Sequence, residues 1–203
     1  MTTDYFRQKF VAKLSSNLDP TTIKFITQQG DKIANHLVDW LVLVESIKTS
    51  RFVGQAQYDD VTGEQLGTPE ALGRELYYDY AFVVAPAYKA YEGYLFLLAE
   101  KLGLKDPDDV VHSVGHLYDE DHLLKLKEEI VTEIGKKLNT ADTELIGQLT
   151  ELKRVLQLYR HNPAHFLGDR INTFEKAENY GRTVLTVINQ TTKHFLREKY
   201  IAI

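Results

Sequence analysis

The residues with the most chemistry to offer lie together late in a 203-residue chain, in Tyr159-Arg160-His161-Asn162-Pro163-Ala164-His165-Phe166. A permanently charged guanidinium stands five positions before an imidazole, with a second imidazole and an amide between them. Arginine presents a planar fork that matches phosphate oxygens. Histidine is the side chain best suited to moving a proton near neutral pH. Together they suit phosphodiester chemistry. On an unbroken helix, positions five apart are about 140° out of line, so regular helix would not aim both at one point. Pro163 disfavours helical backbone at Asn162, and a turn there brings Arg160 and His165 toward each other. The plainer reading is that a helix ends in Arg and His because cations favour the negative end of its dipole.

Other clusters are weaker. Glu92 lies among Tyr88, Tyr91, Leu95 and Phe96; a buried carboxylate is costly without a partner, and Arg160 is the obvious one. The alternative is a rim residue that reaches water, and Glu100, two turns further on, is the competing carboxylate. His112 and His116, followed by Asp119, Glu120, Asp121 and His122, have a spacing that can hold zinc. No glutamate follows His112 in the metalloprotease manner, and Gly115 signals a helix end, so no metal is expected. His36 and His194 read as surface or packing residues. Tyr77, Tyr78 and Tyr80 have faces on which bases can stack, but core or interface packing is the favoured reading. The glycine-rich stretch 54–67 lacks the Lys-Ser/Thr of a phosphate loop.

The elements that must position these residues read as helices almost throughout. Short helix is expected over 4–14. A long helix is expected over 21–48, opened by Asp19-Pro20 and open to interruption at Gly30. Residues 49–69 show no helical period and read as an irregular loop or short hairpin, either a surface loop or a flap or docking arm. Helix returns over 70–103, with a break predicted at Pro86 and a stop at Gly103. Two further helices are expected at 120–138 and 141–160, the second with a Leu145, Leu149, Leu152, Leu156, Tyr159 seam. The last helix covers 173–200, opened by Asn172-Thr173. The sum is an all-α bundle of four or five main helices.

Composition narrows the function classes. With no cysteine there are no disulfides, thiolate metal sites or cysteine nucleophiles, in keeping with a reducing cytoplasmic setting. The start MTTDYFRQKF has no signal-type apolar core, and no run approaches the roughly 18 apolar residues that cross a bilayer. The net charge of −5 disfavours a general charge-driven nucleic-acid binder. The balance is uneven, however: from Glu151 onward the chain carries a net +4, and the preceding part −9. Such a basic C-terminal quarter suits local contact with a polyanion, or simply solvated helix faces.

The stretch Arg160-His161-Asn162-Pro163-Ala164-His165, an Arg, a polar residue, three more residues and a His, resembles the hallmark of HEPN domains (higher eukaryotes and prokaryotes nucleotide-binding). A second, weaker match is Ala87-Tyr88-Lys89-Ala90-Tyr91-Glu92-Gly93-Tyr94-Leu95, similar to an early core helix of several branches. The likeness covers roughly 70–203, and in appearance the branch of RNase LS-type toxins is nearest, although those toxins carry extra N-terminal domains. It implies an up-and-down bundle over 70–203. Residues 1–69, which match nothing in the family, are expected as a helical arm plus irregular loop packed on the same domain. The resemblance further implies a metal-independent endoribonuclease without cofactor, acting on RNA as a homodimer. It would serve as a toxin or phage-defence effector restrained by a protein antitoxin or inhibitor. Arg160 and His165 would be catalytic with Glu92 in support, and His161 and Asn162 would contact substrate. The alternative is a non-catalytic scaffold of the same fold that binds nucleotides or another protein.

Overall fold

The computed structural model describes residues 12–28, 30–53, 80–104, 130–138, 142–160, 171 and 173–203. They form an all-α bundle, with no strand among the described residues. In chain order the helices are α1 (12–17), α2 (Pro20–Ile26), α3 (Lys32–Val53), α4 (Ala81–Lys101), α5 (130–138), α6 (Thr143–Arg160) and α7 (Phe174–Arg197).

Local chemistry explains most boundaries. Asp19 caps α2: its carboxylate accepts the Thr21 N–H at 2.9 Å and the Thr21 hydroxyl at 2.6 Å, and Pro20 opens the helix. The long helix expected over 21–48 is two helices, because the chain passes through Gly30 at φ +95°, a backbone angle that glycine alone adopts freely. The second piece runs on to Val53, into the stretch expected to be irregular; 54–69 lie outside the described residues. α4 ends as the sequence indicates. Gly103, at φ +60°, donates to Glu100 O, and Leu104 donates to Ala99 O, a paired C-terminal cap.

Pro86 does not break the helix. It sits inside α4, whose eleven buried residues, from Val83 to Ala99, hold the helix in place. A proline in a helix interior costs about 3 kcal/mol, and burial of this many side chains at about 1.5–3 kcal/mol each outweighs it. Because Pro86 is only the sixth residue, the missing N–H falls near the helix start.

Cross-helix contacts fix the topology. Ile33 lies against Gly93, tying early α3 to mid α4. Tyr91 donates its hydroxyl to Leu152 O at 2.6 Å, joining α4 to α6. Thr191 donates to Gln148 Oε1 at 3.0 Å and Arg197 to Glu144 at 2.7 Å, so α6 and α7 run antiparallel. Tyr80 donates its N–H to Ile171 O at 2.9 Å, and the Tyr94 and Thr192 hydroxyls meet at 3.0 Å, so α4 and α7 run parallel. α3, α4, α6 and α7 thus alternate in direction as an up-and-down bundle. The C-terminal ends of α3 and α6 and the N-terminal ends of α4 and α7 share one end. The N-terminal helices dock on the same core: the Asn189 side-chain oxygen on α7 accepts from the Asp19 N–H and the Thr22 hydroxyl, both at 2.9 Å.

The tightest contact is between α3 and α7. Phe174, Ala177, Gly181, Val184, Ile188, Thr191 and Phe195 form a buried three–four seam along α7. At Gly181 the seam has no side chain, and the indole of Trp40, 1% exposed, lies directly on the backbone there. A Cβ at 181 would overlap the ring well inside van der Waals contact. Gly181→Ala should therefore lower the urea midpoint: overpacking of about 1–3 kcal/mol exceeds a helix-propensity gain of about 1 kcal/mol. In a Trp40→Leu background the same change should become stabilising. A higher midpoint for Gly181→Ala with Trp40 in place would contradict this account of the contact.

Candidate functional site

Arg160 is the last residue of α6, at the shared end of the bundle. Eleven positions later the chain is fixed again. Ile171 is fully buried with its carbonyl held by the Tyr80 N–H, and Thr173 caps α7 by accepting the Lys176 N–H at 3.2 Å. Tyr80, also fully buried, meets the Phe174 ring edge-on at 6.0 Å and stacks on Phe82 at 6.5 Å. The motif therefore leaves the end of one helix and returns to an anchored point between the starts of two others. The Arg160 side chain and residues His161, Asn162 and His165 lie outside the described residues, so the expected approach of Arg160 to His165 has no coordinates here.

The field at this end follows from helix direction. The N-terminal ends of α4 and α7 carry the partial positive charge of their helix dipoles, which favours anions. α4 has no acidic residue in its first turn; α7 has Glu175. One turn further along α7, Glu178 accepts hydrogen bonds from Lys48 of α3, at 2.7 Å, and from Arg182. Its side chain is only 13% exposed. Burial pushes the Glu178 carboxyl up, and the hydrogen bonds from Lys48 and Arg182 outweigh that, so it titrates below the usual carboxylate value.

The other sequence-predicted residues fall as follows. Glu92 is half-buried on α4. Its neighbour Tyr91 reaches Leu152, and Arg160 lies eight residues, about 12 Å of helix, beyond that level. The helix register alone therefore leaves Glu92 deeper in the bundle than the Arg160 backbone. Glu100 is exposed near the opposite end of α4. Tyr80 is core; Tyr77 and Tyr78 lie outside the described residues, as do His112, His116 and the acidic residues after them. Among the described residues no group of three or more His, Asp or Glu is arranged to hold a metal. Burial raises the Tyr91 and Tyr94 phenols far above their ordinary value, so both serve as neutral hydrogen-bonding groups. No described helix is long and apolar enough to cross a membrane.

His36 is half-buried, 3.9 Å from Asp39. His194 is a core residue, 2% exposed. Arg197 donates to its Nδ1 at 2.9 Å, and Glu144 lies 3.3 Å from the same nitrogen. Its Nε2 has no hydrogen-bond partner among the described residues; Asp142 stands 3.6 Å away. The two carboxylates address opposite ring nitrogens and Arg197 occupies one of them, so the cluster does not converge on a cation. It ties the start of α6 to the end of α7, away from the motif.

Comparison of the chain with family models, with curated proteins and with solved structures returns no match. The reading of the site therefore rests on the chain's own residues.

Sequence reasoning missed the Lys48–Glu178–Arg182 link, whose only local signal is the Glu178/Arg182 spacing of four. This link gives a pH test. A carboxyl held below its unfolded value contributes stability that is complete above about pH 4.3 and is lost as pH falls through the folded value. Glu178→Gln should cost about 1–2 kcal/mol at pH 7 and flatten the acid limb of the stability curve. Urea titrations from pH 3 to 7 check this; parallel acid limbs for the two proteins would exclude Glu178 as the source.

Proposed function

We propose that the chain is a HEPN-type endoribonuclease that needs no metal, acting as a toxin or defence effector in the cytoplasm. The carrying observation is positional: Arg160 ends α6 where the positive ends of α4 and α7 also lie, and the chain is fixed again at Ile171 beside them. A phosphodiester placed there meets a charged fork and the positive ends of two helix dipoles.

In the proposed reaction the RNA supplies its own nucleophile. The 2′-oxygen attacks the adjacent phosphorus while its proton passes to His165 acting as base. The bond to the 5′-oxygen breaks, and that oxygen takes a proton from a second imidazole, His165 of another copy in a homodimer. The products are a 2′,3′-cyclic phosphate and a 5′-hydroxyl. Arg160 holds the scissile phosphate and offsets charge that builds on its oxygens. His161 and Asn162 contact the phosphate or shape the turn. Glu92, deeper along α4, serves as a positioning residue for whichever of Arg160 and His165 extends toward it. A protein antitoxin would act by covering this end of the bundle or by separating the two copies.

The test is cleavage of end-labelled RNA in excess chelator. His165→Ala should lose about 10²–10⁴-fold in rate. Arg160→Lys, which keeps the charge but not the fork, should retain more activity than Arg160→Ala. Undiminished cleavage by His165→Ala removes that residue from the mechanism. Wild-type chain that binds RNA but never cuts it supports the scaffold reading instead.

A further inference from the structure

Beyond the motif, α6 and α7 enclose an open cleft of about 300 Å³. Arg154 and Glu151 line it from α6, and Arg182, Asn179, Thr183 and Thr186 from α7. We propose that this cleft is a phosphate-binding station for a single-stranded RNA backbone that continues to the Arg160 end. The inference rests on the ribonuclease reading and deepens it by naming a second place where the strand is held.

Four observations carry it. First, both guanidinium groups are oriented yet only partly used. Arg154 donates Nε and Nη2 to one oxygen of Glu151, and Arg182 donates Nε and Nη2 to one oxygen of Glu178. The Nη1 group of each has no partner among the described residues, and the side chains are 46% and 56% exposed. A carboxylate that holds a fork from behind lowers the ordering cost of presenting its free N–H groups to a phosphate. Second, the local charge is positive. Glu178 is shared between Lys48 and Arg182, so among the described residues the three cations Lys48, Arg154 and Arg182 pair with two carboxylates, Glu151 and Glu178.

Third, the remaining polar groups are neutral. The Asn179 amide and the Thr186 hydroxyl are exposed and make no hydrogen bond among the described residues, while Thr183 donates to Asn179 O. The wall has no aromatic ring and only Val187 as an apolar side chain, so nothing there stacks on a base. Such a lining recognises backbone phosphate and leaves sequence unread. Fourth, the placement suits a strand. Arg154 is six residues, about 9 Å of helix, before Arg160 on the same helix, in the basic C-terminal quarter of an acidic chain.

The experiment measures binding of the full-length chain to a fluorescently labelled 2′-O-methyl oligoribonucleotide, which lacks the attacking hydroxyl and cannot be cut by this route. Anisotropy is read across a range of salt concentrations. Two phosphate contacts on a single strand account for about 1.4 in the slope of log K against log salt. Arg154→Gln/Arg182→Gln should lower the slope by about that amount and weaken binding about tenfold or more at low salt. Arg154→Lys/Arg182→Lys should recover much of the slope, since the charges remain. Lys136→Gln, an exposed pair with Glu133 on α5, should leave it unchanged. Thermal melts confirm that each variant is folded.

An unchanged slope in the double Gln variant, with wild-type binding intact, overturns the cleft assignment and leaves the nuclease reading standing. A reduced slope in a chain that never cuts unmodified RNA supports the cleft and removes the nuclease. No binding by the wild type overturns both. Competition by a mononucleotide as effective, per phosphate, as by the strand shows a free-anion site and overturns the backbone assignment.

Discussion

The Trp40 indole pressed onto the Gly181 backbone sets how closely α3 approaches α7, while α4 packs extensively against both. Interiors pack at crystal-like density, so a contact of this kind is met by one geometry and defeated by small changes in volume. With α3 close, Lys48 reaches Glu178 across the helix pair. The α7 seam also meets Tyr94 of α4, and its flank meets Gln148 of α6.

That arrangement decides which helix ends meet where Arg160 lies. Because α4 and α7 run parallel while α6 opposes them, α6 ends beside two helix starts, and the chain is next fixed at the Ile171 carbonyl that Tyr80 holds. The chemistry proposed for Arg160 and His165 requires such a frame. A guanidinium and an imidazole on a free loop would lose much of their effect to orientation. The same antiparallel pairing of α6 and α7 lays Arg154 and Arg182 along one cleft. The anionic path and the reacting end proposed above thus both draw on a single helix pair.

Much of this was legible in the sequence. The three–four spacing of Leu145, Leu149, Leu152 and Leu156 marked α6, Thr173 marked the start of α7, and Gly103 marked the end of α4. These signals are local, and helix periodicity and caps are where single-sequence reading is strongest. Two boundaries were misread. Pro86 was expected to break a helix that tertiary burial carries through, and α3 runs past the expected stop to Val53. The Gly181 contact, the sharing of Glu178 and the cleft arginines were invisible for a different reason. Each pairs residues more than 25 positions apart, and a glycine or a surface arginine carries no mark of what will face it. Arg160 and His165 were legible as residue types, whereas the relation between Glu92 and Arg160 depends on helix register, which spacing alone does not encode.

Pro86 has a consequence for how α4 opens. Pro86 has no amide to donate to the Phe82 carbonyl, so residues 81–85 join the rest of the helix through one fewer i to i−4 backbone link. The first turn of α4 is then the natural edge of a cooperative opening unit. That turn adjoins the Tyr80 amide that grips Ile171. Fraying there releases the Ile171 carbonyl while the rest of the bundle stays closed, a local opening short of global unfolding.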